Sequence, residues 1–327
     1  MTKKRMYDII TIGSGTVDVF VETEDKQIVP HNNHQDVCYH IGDKVLIKRL
    51  QHSTGGGGTN SAVGFSRMGL NTGWIGQVGQ DANMHYIMET LQQERVTFLG
   101  NCSKGMSGYS VILVGLRKDR TILTYKGINN MLAVKDKDLK QLKTKWFYFS
   151  SMMDKSLRTQ KKIAQHAKKK GIRYAYNPSC YLAEKGMRVL GPIVRGATVL
   201  VMNAQEAAYL LDTSPQQKAE NARALTKYGQ YGIVTDGPRE GYASDGTHLY
   251  VWKPRKAKIV ETTGAGDSFA VGVVTGIIKG MTLAQSLQLG YANAVSVLGE
   301  IGAKNNLLTY RNARRELREH PVRVKRI

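Results

Sequence analysis

The sequence predicts an α/β fold: a doubly wound, mostly parallel sheet with helices on both faces and a small β-sheet lid. Three observations predict it. From residue 131 onward, strand patterns near 146–150, 173–176 and 198–202 alternate with helical patterns near 156–170, 184–194 and 204–211, the rhythm of a parallel sheet covered on both faces. Residues 19–50 hold only short strand patterns, at 19–21, 37–41 and 45–47, and residues 108–115 and 120–125 read as a hairpin around a charged turn at 117–119. These insertions, roughly 17–50 and 107–127, suit a flap over a site. Finally, the small-residue stretch Glu261-Thr262-Thr263-Gly264-Ala265-Gly266-Asp267 runs directly into an apolar helix.

Composition bounds the rest. At 327 residues with 41 % hydrophobic content the chain can bury a large core, and one domain spanning 1–327 is expected. No apolar run reaches the roughly 18 residues of a membrane span, and the N-terminus leads straight into a strand rather than a signal peptide. A cytoplasmic protein without a membrane partner is expected. Cys38, Cys102 and Cys180 are odd in number and far apart, which excludes a disulfide framework or zinc cluster. The net charge of +21 favours anionic partners, but the lysines are dispersed. The densest basic segment, 309–327, reads as a solvated, partly frayed tail, so specific nucleic-acid binding is not expected.

Residues 7–13 form a buried first strand ending at glycine. Gly13-Ser14-Gly15 mimics the start of a dinucleotide fingerprint, but Asp18 stands where the third glycine belongs and would repel a pyrophosphate. His31 and His34 with Asp36 resemble ligands, yet no third ligand sits at motif spacing and a surface loop suffices. Residues 53–70 run four glycines, Gly55 to Gly58, into an amphipathic helix that stops at Gly69. With no lysine-serine pair after them these are not a P-loop. Their bare amides, with Asn60 beside them, can instead approach a polyhydroxyl substrate closely. A second buried strand at 74–79 and a helix at 85–96 follow. Arg120 and Lys126, at the hairpin ends, are candidates for reaching a substrate, or are simply solvated.

Two further strand ends carry polar groups. Glu206, three residues after Asn203, can hold water-coordinated magnesium, or the pair forms a capping box. Residues 233–241 end another strand, with Arg239 near a prospective phosphate.

At 261–269, residues without bulky side chains open a helix whose first amides lack intrahelical partners and carry partial positive charge. Gly264, Ala265 and Gly266 read as an anion cradle. Asp267 would sit where a phosphoryl group meets an attacking hydroxyl, placed to take its proton. The alternative is that Thr262 or Thr263 caps a buried helix and Asp267 complements its dipole.

These residues resemble the signature of the ribokinase-like (PfkB) carbohydrate and nucleoside kinases, an acid and two residues before Gly-Ala-Gly-Asp. Gly55, Gly56, Asn60 and Ala62 are similar to the family's G-G-x-x-x-N-x-A signature, Asn203 to Glu206 to its N-x-x-E motif, and Thr235 with Gly237 to its T-x-G loop. The resemblance spans roughly 6–308. It implies ATP and magnesium as reactants, Asp267 as catalytic base, Gly264 to Gly266 as anion hole, and an acceptor held by Asp18, Gly55, Gly56 and Asn60. It further implies nucleotide contacts at Asn203, Thr235, Gly237 and Asn293, with Glu206 acting on magnesium through water, and it allows a homodimer formed through the lid. Glu261 stands where the family more often has Asp, near a loop that binds a monovalent cation in many members, which argues against a need for K+. The expected reaction is phosphorylation of a primary hydroxyl of a sugar or nucleoside. A sugar phosphate is the alternative acceptor, and a non-catalytic relative binding nucleic acid through its basic surface is the alternative function.

Overall fold

The central strands are buried along nearly their whole length, and that burial decides the architecture. The computed structural model describes residues 6–23, 27–30, 35–114, 120–255 and 257–327. The hairpin turn at 117–119 and the pair His31 and His34 lie outside them.

In chain order, β1 (Tyr7–Ile12) is followed after three residues by β2 (Thr16–Thr23), then β3 (Gln27–Pro30), β4 (Gln35–Cys38) and the long β5 (Ile47–Gly55). The first helix, α1 (Gly57–Arg67), leads to β6 (Thr72–Ile75), β7 (Gln77–Gly79) and α2 (Ala82–Gln93). Short strands β8 (Thr97–Phe98) and β9 (Asn101–Ser103) precede β10 (Gly108–Val114) and β11 (Arg120–Tyr125). The regular alternation then begins: α3 (Asp136–Gln141), β12 (Thr144–Phe149), α4 (Asp154–Lys170), β13 (Arg173–Tyr176), α5 (Cys180–Ala183), α6 (Gly186–Val194), β14 (Ala197–Asn203) and α7 (Ala204–Leu211). It continues through α8 (Lys218–Leu225) and β15 (Gly229–Thr235) into the hairpin β16 (Gly241–Ser244) and β17 (Leu249–Trp252). Helices α9 (Ala265–Ile278), α10 (Leu283–Val297) and α11 (Tyr310–Glu319) and the terminal β18 (Val324–Arg326) complete the chain.

Among the described residues ten strands form the main sheet, in the order β18-β17-β16-β15-β14-β13-β12-β1-β6-β8. The run from β15 to β8 is parallel, and β16 to β18 join antiparallel. Ile10, Phe147, Phe149, Leu200 and Val234 point to one face, under Ile163, Leu190 and Ala207 of the crossover helices. Ile9, Trp146, Tyr148, Val199 and Ile233 point to the other, under Phe65 of α1 and Phe269 and Val273 of α9. Two buried faces explain why these strands read as continuous apolar runs. A separate four-stranded sheet, β11-β10-β2-β5, takes up most of the expected flap, although residues 39–46 are not strand.

The C-terminal segment departs from expectation. Residues 309–327 were expected as a frayed tail, but α11 buries Ala313 and is anchored by an Arg255–Glu316 ion pair, and β18 pairs with β17. Apolar Ala313, Leu317, Val322 and Val324, interleaved with the arginines, pack on the core and override the charge signal.

Helices α9 and α10 approach through bare backbone. A Cβ added at Gly272 would lie 2.5 Å from Gly290 Cα and 2.6 Å from the Leu289 carbonyl oxygen, atoms that cannot swing aside. Gly272→Ala is therefore expected to cost about 1–3 kcal/mol of overpacking, against about 1 kcal/mol gained in helix propensity. Urea unfolding should show a lowered midpoint, and a raised one would mean that the two helices separate freely.

Candidate active site

A cavity of about 400 Å³ lies between the carboxyl ends of the parallel strands and the small sheet. Strand ends supply Ser150, Asn177, Asn203 and Thr235, the small sheet supplies Asp18, Ser110, Arg120 and Thr124, and the start of α9 supplies Gly264, Gly266 and Asp267. Ligands of open α/β sheets collect at this edge.

Glycines build one wall. Helix α1 starts against the end of β1: Thr11 Oγ1 donates to the Gly58 carbonyl oxygen at 3.0 Å, and Gly58 N–H donates to the Ser14 carbonyl oxygen at 3.0 Å. A Cβ on Gly58 would meet the Gly13 carbonyl carbon at 2.4 Å. Gly56, the residue before α1, has φ +91°, a left-handed value that glycine adopts without strain. Gly55 sits on β5 directly against Asp18, where a Cβ would fall 1.8 Å from Asp18 Oδ2. The carboxylate thus occupies the space a side chain at position 55 would need. Asp18 itself is a buried residue of β2, and its Oδ1 accepts from Thr16 Oγ1 at 2.8 Å. Burial pushes its pKa up, opposed by the Thr16 bond and the charge of Lys304.

The opposite wall is the start of α9. Gly264 precedes the helix at φ +80°, and a Cβ there would also strike Ala303 at 2.5 Å. Gly266 opens onto free space and lies in the first turn, where helix geometry supplies no acceptor for its N–H. Asn60 Nδ2 donates to Asp267 Oδ2 at 2.9 Å. Burial raises the Asp267 pKa, opposed by this bond and by Lys304. Behind the turn, Glu261 is buried; its Oε1 accepts from Thr263 N–H at 2.7 Å and Thr263 Oγ1 at 2.6 Å. Arg120 of β11 approaches the same Oε1 at 3.2 Å and donates to Thr262 Oγ1, so the small sheet is tied to the glycine turn.

Between the walls, Asn203 and Glu206 form a full capping box: Glu206 N–H donates to Asn203 Oδ1 at 2.8 Å, and Asn203 N–H donates to Glu206 Oε2 at 2.9 Å. Capping does not exclude function, because Glu206 also lines the cavity and burial pushes its pKa up to about 7.

The model of the pfkB family of carbohydrate kinases matches residues 28–309. The chain belongs to this family. A sugar kinase of Archaeoglobus fulgidus, itself uncharacterised, is 28 % identical over 251 residues, which are 75 % of this chain and 98 % of that protein. Two solved structures share the fold. Arabidopsis thaliana ribokinase complexed with ribose and ATP has a TM-score of 0.79 at 19 % identity, covering 96 % of this chain and 99 % of that one. Adenosine kinase from Sinorhizobium meliloti has a TM-score of 0.78 at 21 % identity, covering 95 % and 99 %. This PfkB protein is a carbohydrate or nucleoside kinase, and no helix of its described residues is long and apolar enough to cross a membrane.

Most residues expected at the PfkB site converge on one cavity: Asp18, Gly56, Asn60, Asn203, Glu206, Thr235, Gly264, Gly266 and Asp267 line it, with Gly55 packed behind Asp18. Three other expected residues lie off this lining. Ala265 is not on the lining, and its N–H turns back to the Thr262 carbonyl oxygen at 3.4 Å, leaving the turn's free face to Gly266. Gly237 lies past the end of β15 outside the cavity, where Asp236 is held by Lys218 at 2.7 Å and by Arg239, which thereby faces a carboxylate rather than a phosphate. Asn293 is fully buried on α10: its Nδ2 donates to the Ser268 carbonyl oxygen at 2.8 Å and its Oδ1 accepts from Leu308 N–H at 3.0 Å. Its amide is spent on joining α9, α10 and the segment before α11.

Sequence reasoning also missed Lys304, a buried lysine whose Nζ donates to Asn60 Oδ1 at 2.8 Å and to the Thr54 carbonyl oxygen at 2.7 Å. One signal was available: in a lysine-rich chain, Lys304 is the only charge in residues 301–310. The structural role of Asn293 makes a testable distinction. Asn293→Ala leaves a buried N–H and carbonyl unpaired and should cost about 1–3 kcal/mol of stability, with the KM for ATP unchanged in the folded fraction. A raised KM at unchanged stability would restore it to the nucleotide site.

Proposed function

We propose that this kinase transfers the γ-phosphoryl group of ATP to a primary hydroxyl of an unphosphorylated sugar or nucleoside, with Asp267 as general base. The observation that carries the reading is the aim of Asp267: Asn60 engages one carboxylate oxygen at 2.9 Å, and the other, Oδ1, is on the side of the cavity opening at Gly57, 3.7 Å from where a Cβ there would stand, with Ser150 beside it. An acceptor hydroxyl fits that opening, bounded behind by Asp18, whose carboxylate suits a second hydroxyl. The carboxylate takes the hydroxyl proton as the oxygen–phosphorus bond forms, while the bond from phosphorus to the bridging oxygen of ADP breaks. Charge growing on the phosphoryl oxygens meets the first-turn amides of α9, Gly266 foremost, and the positive end of the helix. Arg120 draws the small sheet over this turn and limits water, a competing acceptor.

The residues present also fit magnesium. Glu206 offers a buried carboxylate whose Oε1 meets only the Cys180 thiol, at 3.7 Å, among the described residues, and it would hold the ion through water. Bound there, magnesium would neutralise phosphate charge.

For the acceptor, the engagement of Arg120 with Glu261 and Thr262 favours a neutral compound, because the guanidinium is already committed. A sugar phosphate is the second reading, favoured by Lys126, which lines the same cavity with its ammonium 5.2 Å from the Tyr181 ring centre.

Asp267→Asn preserves shape without a proton acceptor and should lower kcat by about 10²- to 10⁴-fold while ATP still binds; near-normal turnover would remove Asp267 from the role. A coupled assay with ribose, fructose, adenosine, cytidine and fructose 6-phosphate tests the acceptor. A neutral compound should be preferred and lose about ten- to a hundred-fold in kcat/KM on Asp18→Ala. Preference for the sugar phosphate, abolished by Lys126→Ala, would establish the second reading instead.

A further inference from the structure

Lys304 is the only buried lysine among the described residues, and the catalytic scheme above does not use it. It follows the turn at Gly302, and its backbone is clamped from α1: Arg67 Nη1 donates to the carbonyl oxygens of Lys304 at 3.0 Å and Leu307 at 3.1 Å. So fixed, the side chain reaches between β5 and α1 to Thr54 and Asn60.

We infer that Lys304 is a positioning residue for phosphoryl transfer: it fixes which way the Asn60 amide faces, and through that amide it aims the Asp267 carboxylate and keeps it ionised. An amide has one accepting and one donating end. With the Lys304 nitrogen donating to Oδ1, only the Nδ2 end is left for Asp267, and it donates to Oδ2. Without that donor the amide can turn over and set a carbonyl oxygen against a carboxylate, two acceptors in repulsion. The orientation leaves Asp267 Oδ1 as the oxygen facing the opening beside Gly57. The inference rests on Asp267 being the base.

Electrostatics support the geometry. Asp18 and Asp267 attract the Lys304 charge most, and the lesser pull of Glu94 is opposed by Arg67, which pairs with Glu94 through two bonds of 2.9 and 2.5 Å. Burial pulls the Lys304 pKa down to about 7 against the pull of those carboxylates. Asp267 faces Asn60 and Lys304, which lower its pKa against the rise due to burial; Glu206 and the phenol of Tyr148 are its other titratable neighbours. Removing the cation therefore moves the Asp267 pKa upward.

The test compares Lys304→Met, which removes both donor and charge, with Lys304→Gln, which keeps donors but no charge. Lys304→Met should lose about 10- to 100-fold in kcat, the scale of a misplaced reacting group, with the KM for ATP nearly unchanged, and the acidic limb of its kcat/KM profile should shift to higher pH. Lys304→Gln should show the same shift of the limb with a smaller loss of kcat. If Lys304→Met fails to fold, the displaced limb of Lys304→Gln alone supports the inference. Wild-type kcat and an unmoved limb in Lys304→Gln would overturn it, as would a loss in Lys304→Met that follows only the folded fraction. Asp267→Asn, run alongside, separates the two failures: full activity there removes the base itself, whereas an inactive Asp267→Asn with unperturbed Lys304 variants removes only the role of Lys304.

Discussion

The site depends on one contact between backbones, where the start of α1 lies on the turn after β1. Gly58 and Gly13 meet with no side chain between them, and the Ser14 carbonyl oxygen accepts from the Gly58 N–H. Because β1 continues through that turn into β2, and β5 continues into α1, the same contact joins the main sheet to the small one. Asp18 on β2 and Asn60 on α1 are carried to one place by it. A side chain at either glycine would force the strand and helix apart, and all that is hung from them would move.

The second constraint is charge held out of water. Asp18 and Asp267 share one interior with Lys304, and each is pushed toward its neutral form by burial. Charge taken out of water rarely gains stability once desolvation is counted. Its presence here accords with reactivity: carboxylates deprived of water bind protons more readily, the property a base needs. The polarity of α9 adds to this, with its positive end turned to the same cavity.

The parallel sheet was legible because both of its faces are buried, which makes strands such as residues 198–202 uniformly apolar between amphipathic helices. The glycine turn before Asp267 was legible because few residue types tolerate its geometry: Gly264 has φ +80°, and a Cβ there would strike Ala303. Other parts were not. Asn293 was expected at the nucleotide through its place in the chain, whereas the partners its amide finds here, the backbone of neighbouring segments, are not legible in a sequence. Gly237 fitted a motif letter, but of that motif only Thr235 lies on the cavity lining. Lys304 lay hidden because burial of a lysine is a tertiary event: the residues that surround it, Thr54, Asn60, Asp18 and Asp267, come from distant parts of the chain. The C-terminal arginines misled for the converse reason, since charge density obscured a sparse but sufficient set of apolar anchors.

Strand β18 has a consequence for how molecules meet one another. It is the outermost strand on its side of the main sheet, three residues long, and of these Lys325 and Arg326 are exposed. A sheet edge with unpaired backbone groups is a template on which another chain can add. Here the template is short and carries cations, so a second copy approaching it edge to edge meets like charge before it can pair. Some of the positive surplus thus keeps the sheet from growing beyond its own molecule, a task independent of any nucleotide or sugar.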